Sequence, residues 1–195
     1  MSSDRPTSGE ATPRETTPGE ATSGETGKAI LELPLRQLYE YWAGKRGARR
    51  WPARADILPS EIPALLPYVV LTDVLESGQH FRMRLVGTDV AFGIDPTGQL
   101  LHEAVPEGNY RAHVTALFQR GAAGPGALYS RTRYDYADVA GPRTIARIFM
   151  PLASDGEAID MMLVGQMRDR QIHADHSAWQ ANPPTISEVV ELRLP

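Results

Sequence analysis

Residues 68–87 read YVVLTDVLESGQHFRMRLVG, and this stretch decides the fold class. Its first part, Tyr68 to Val74, is largely β-branched and apolar. From His80 to Val86 apolar and polar residues alternate strictly, with Phe81, Met83 and Leu85 set against His80, Arg82 and Arg84. A period of two is the mark of a half-buried strand. Ser77-Gly78 supplies a turn between the two runs, so an antiparallel hairpin is expected here.

Downstream, Gly87 to Gly98 is punctuated by glycine and carries short apolar pieces, which predicts short helices and turns. Asn109 is placed to cap a longer helix whose apolar face carries Tyr110, Val114, Leu117 and Phe118, and Gly121 and Gly124 stop it. Leu128–Tyr136, Thr144–Leu152 and Ile159–Met167 are three further strand candidates, with Asp155-Gly156 as the turn between the last two. Strands separated by a block of helices argue for an antiparallel sheet with helices on one face, an α+β fold.

Upstream, Pro34 opens a helix in which Leu35, Leu38, Tyr39 and Trp42 form one apolar stripe, ended by Gly44 and Gly47. Lys45, Arg46, Arg49 and Arg50 follow, either as a solvated helix end or as a surface for an anionic partner. Residues 1–28 are rich in Ser, Thr, Gly, Glu and Pro and bury almost nothing, so a disordered tail is expected. Residues 29–66 then form the helix and a proline-rich approach, 67–170 the domain proper, and 171–195 a C-terminal tail. Within that tail the alternation from Val189 to Leu194 favours an added edge strand or docked arm over disorder.

The chain has 195 residues, 42% of them hydrophobic, and a net charge of -4, which suits one folded core and gives no reason to expect nucleic acid as a partner. The absence of cysteine removes disulfides, thiolate metal sites, cysteine nucleophiles and cysteinyl-flavin chemistry. No apolar run is long enough to span a bilayer and residues 1–28 lack the features of a signal peptide, so a cytoplasmic protein without a membrane partner is expected.

Asp56, Pro59, Ile62-Pro63 and Leu66-Pro67, followed by the RLVGT element 84–88 and the Asp95-Pro-Thr-Gly98 element, resemble the small stand-alone PAS-domain proteins of bacteria. The likeness covers roughly residues 35–168. It implies a five-stranded antiparallel sheet in the order 2-1-5-4-3, an internal pocket lined by the long helix, and a role as a sensory module.

On that resemblance Arg84, Phe92, Tyr110, His113, Leu117, Met150 and Met162 are the ligand-pocket candidates. Arg84 either faces a ligand or holds the fold through Asp73 or Asp95, and His113 is a satisfied buried histidine, a ligand contact or, least favoured, a haem ligand. Tyr129, Arg131 and Arg133, with Arg143 and Arg147 on the next strand, offer a guanidinium-rich face suited to carboxylate or phosphate, with a plain charged sheet face as the alternative. Leu35, Leu38, Trp42, Arg49 and Arg50 are the interaction candidates, the helix serving as a homodimer contact or packing within the monomer. No nucleophile elbow, phosphate loop or kinase motif is present, and His173, Asp175 and His176 lack the spacing of a closed metal site. No catalytic residue, metal or named cofactor is therefore expected. The reading is a cytoplasmic signal-transduction module that binds an unidentified small molecule and acts in trans on a regulatory protein. Its alternative is a ligand-free adaptor, with the cavity filled by Met83, Met150, Met161, Met162 and Phe92.

Overall fold

The computed structural model describes residues 27–91, 95–135, 141–169 and 185–195. Expectations for residues 1–26, Phe92 and the 173–176 histidine group lie outside the described residues.

Helix α1, Leu33–Arg46, has Pro34 in its first turn and buries Leu35, Leu38, Tyr39 and Trp42, the predicted stripe. Gly44 lies inside it, and Gly47 ends it with φ at 56°, a left-handed conformation that glycine adopts without strain. Three short 3-10 turns follow, at Arg54–Asp56, Pro59–Glu61 and Pro63–Tyr68, each opened or flanked by the prolines that prevent a longer helix. They are tied to α1 by Lys45–Glu61 at 2.6 Å, Arg49–Asp56 at 2.7 Å, and Tyr41 Oη donating to Glu61 at 2.7 Å.

Strands β1, Val69–Leu75, and β2, His80–Val86, form the expected hairpin, with a register irregularity between Leu71 and Thr72. Helix α2, Leu101–Ala104, and helix α3, Asn109–Ala123, come next; Gly108 rather than Asn109 occupies the cap position. Strands β3, Ala127–Asp135, β4, Arg143–Leu152, and β5, Met161–Arg168, complete the predicted set. A sixth strand, β6, Thr185–Leu194, pairs antiparallel with β3, so the sheet order is β2-β1-β5-β4-β3-β6.

The sheet has an apolar core on each face. One, beneath α1, gathers Leu35, Leu38, Trp42, Trp51, Ile57, Leu71, Tyr129, Ile148, Met150 and Leu163. The other, beneath α3, gathers Val70, Phe81, Met83, Tyr110, Val114, Leu117, Phe118, Ile145, Phe149, Met162 and Val164. Alternation along each strand divides them: Ala146, Ile148, Met150 and Leu152 of β4 face α1, while Ile145 and Phe149 face α3. Leu35, Leu38 and Trp42 are thus packed within the chain and almost fully buried.

Gly165 and Gly87 are among the glycines that permit close approaches. A side chain at Gly165 would fall within 3.0 Å of Leu35, Leu38 and Ile148, which is how α1 comes down onto the sheet. At Gly87, in the RLVGT element, a Cβ would meet the Leu66 and Pro67 carbonyl oxygens at 2.3 Å, so the end of β2 can pass the proline-rich approach only without a side chain.

Candidate functional site: a cavity between sheet and helices

The α3 side of the sheet is incompletely filled. A cavity of about 630 Å³ lies between the inner face of β1, β2, β4 and β5, the start of α3, and the segment that runs through α2 to Pro106. Val70, Met83, Val114, Phe118 and Val164 supply its apolar wall. Such a volume falls in the range of small-molecule sites, about 300–1,000 Å³.

One wall residue differs sharply from the rest. Arg147, in the middle of β4, is only 2% exposed. Its Nε donates to Gln166 Oε1 at 2.6 Å, one terminal nitrogen to Tyr134 Oη at 3.0 Å and the other to Tyr110 Oη at 2.8 Å. The two tyrosine rings meet edge to face with centroids 5.5 Å apart, and the guanidinium lies 5.9 Å from the Tyr110 centroid. Burial works against the cation, but the phenolic oxygens of Tyr110 and Tyr134 outweigh it, and the pKa of Arg147 is raised. Beside this group His113 Nε2 lies 3.1 Å from Thr132 Oγ1, and Thr132 Oγ1 is 3.4 Å from Ser130 Oγ. Burial, followed by the positive fields of Arg147 and Arg120, lowers the His113 pKa to about 4, so its ring is neutral near pH 7.

A family model described as PAS domain matches residues 31–167, well over half of the chain. The chain belongs to the PAS domain family. No curated protein and no solved structure matches it. Membership brings with it a sensory or regulatory role in signalling, and PAS domains are typically not catalytic. Among the described residues no helix is long and apolar enough to cross a membrane.

In this PAS domain the pocket candidates scatter. Tyr110 lines the cavity. His113 turns instead to Thr132, and Leu117 is fully buried in the packed part of the inner core. Met162 lies on the inner face but packs where α3 crosses the sheet at Gly121. Met150 belongs to the core under α1, because β4 alternation sends even-numbered residues to that side. Arg84 pairs with Asp73 at 2.6 Å, which makes it a surface fold contact rather than a cavity residue. Of the interaction candidates, Arg49 and Arg50 remain at the surface, the former bonded to Asp56 and the latter 4.2 Å over the Trp51 ring.

Of the two alternatives for the arginines of β3 and β4, a single guanidinium-rich face does not assemble. In the β3–β4 register Arg131 lies opposite Ala146 and Ser130 opposite Arg147, which puts Arg131 on the α1 side and Arg147 on the cavity side. Arg147 is therefore separated by the sheet from Arg131, and it is the buried arginine of the cavity wall. A signal was present: residues 145–152, IARIFMPL, are apolar on both faces of the strand apart from this one charge.

Proposed function

We propose that this PAS-domain protein is a cytoplasmic sensor that holds a small molecule in the cavity between sheet and helices. It passes the ligand's presence in trans to a regulatory protein partner in bacterial signal transduction. The observation that carries this reading is the cavity of about 630 Å³ with a buried cation built into its wall. A protein that needed the space only as core would gain by filling it. A ligand changes signalling only if it favours one packing of the helices over another. The α2 segment and the start of α3 both line the cavity and are the elements whose packing a ligand would bias. For the partner, Arg49 and Arg50 are the surface positions to test first, and self-association as a homodimer belongs to the same reading.

The alternative is a ligand-free adaptor whose cavity is filled by its own side chains, Met83, Met150, Met161, Met162 and Phe92, the last of which lies outside the described residues. The methionines give it little support, since Met150 and Met161 lie on the α1 side, Met162 is packed elsewhere and Met83 forms wall rather than filling. Native mass spectrometry of the full chain, followed by denaturation and an absorption spectrum, tests the two. A stoichiometric added mass released on denaturation is expected, and the same spectrum gives the oligomeric state. A clean apo mass, unchanged after incubation with cell extract metabolites, would favour the adaptor.

A further inference from the structure

We infer that the cavity ligand is a small organic monoanion, an apolar body bearing one carboxylate, with Arg147 as the residue that holds its head. This rests on the reading that the cavity holds a ligand. A guanidinium taken out of water requires either a counter-charge or full hydrogen bonding. The three partners of Arg147, Gln166, Tyr134 and Tyr110, offer neutral oxygens only. Arginine carries five N–H donors. Three are engaged, which leaves one on each terminal nitrogen. A carboxylate accepts two such donors at once.

The cavity's charge argues for a single negative group. Among the described residues its charged lining is Glu103, Arg111 and Arg147, which leave one net positive charge. Glu103 is exposed and accepts from the Leu100 N–H, while Arg111 Nε donates to the Val105 carbonyl. Arg147 is the buried one. A phosphate monoester, with about 1.5–2 negative charges near neutral pH, would overbalance it. The apolar remainder of the wall fits a hydrocarbon body.

The test is calorimetric titration of the full chain with octanoate, octanol and octyl phosphate, repeated on Arg147→Met and on Arg111→Met. Octanoate is expected to bind with one site per chain and about tenfold or more tighter than octanol. Arg147→Met should erase that difference and leave octanol binding unchanged, whereas Arg111→Met should alter it by less than about threefold. Near-UV circular dichroism checks that the variants fold. Should Arg147→Met not fold, Arg147→Lys, which keeps the charge and loses the fork, is expected to give a partial loss. Equal binding of octanoate and octanol, or octanoate binding indifferent to Arg147→Met, would overturn the inference while leaving a ligand cavity in place. Tighter binding of octyl phosphate, or a co-purified ligand that is neutral, would overturn it as well. If no probe binds and native mass spectrometry adds no mass, the cavity reading fails and the inference fails with it.

Discussion

The two faces of the sheet are lined by the same strands and have opposite character. Under α1 the interior is largely apolar, with polar contacts that include Trp42 Nε1 donating to the Pro151 carbonyl at 2.9 Å and, at its margin, Tyr129 Oη donating to Glu32 at 2.7 Å. Under α3 the interior holds a cavity, a buried arginine, two buried tyrosines and a histidine paired with a threonine. β4 serves both at once, with Ile148 on one side and Arg147 on the other. One face therefore secures the fold, which frees its opposite to carry polar groups that packing alone would reject.

The comparison breaks most readily on the α1 side. Leu38→Glu places an unpaired carboxylate in a site 1% exposed and is expected to cost at least about 3 kcal/mol, read as loss of the cooperative thermal transition. A Leu38→Glu variant that melts like the parent would mean that α1 is not integral to the core. On the cavity side, Tyr134→Phe removes the acceptor for one Arg147 N–H and is expected to cost about 1–3 kcal/mol in urea unfolding. A cost below about 0.5 kcal/mol would show that water reaches Arg147 and stands in for the phenol.

His113 sharpens the comparison through pH. Its folded pKa of about 4 lies below the ordinary value of 6.5, so between these pH values the unfolded chain binds more protons. Stability should therefore fall as pH drops from 6.5 toward 4. After allowance for partial solvent exposure, this group should contribute about 1–2 kcal/mol of that loss. Thermal melts of the parent and His113→Gln at pH 7 and 4.5 isolate it, since only the parent should show this component. The smallest effect is expected at the surface, where Arg84→Gln breaks the ion pair with Asp73 and should change stability by less than about 1 kcal/mol. A larger loss would make the RLVGT arginine more than a surface contact.

The hairpin at 69–86 was legible because a strict period of two over seven residues admits one interpretation. The helix stripe Leu35, Leu38 and Trp42 was legible as a stripe, but periodicity cannot say whether the covering surface belongs to the same chain. The cavity was harder to read. Period fixes which residues of one strand share a face, and only the pairing between strands fixes which face of a neighbour they join. Without that register Arg131 and Arg147 look like neighbours on one face, and Met150 looks like a cavity residue, whereas the strand pairing separates the two arginines and puts Met150 under α1. His113 shows a finer limit: helical spacing puts it on the inner side of α3, yet whether it meets cavity or strand depends on where Thr132 lies.

The manner in which α1 is held also has a consequence for the order of events in time. Trp42 reaches a carbonyl 109 residues further along the chain, Tyr39 Oη donates to the Pro195 carbonyl 156 residues away, and β3 pairs with a strand beginning at Thr185. Contacts of such sequence separation form late, after much loop entropy has been lost. On a ribosome the helix would emerge early and wait for most of its binding surface to be synthesised. Refolding should accordingly be slow for a domain of this size, with burial of Trp42 trailing formation of the local β1–β2 hairpin.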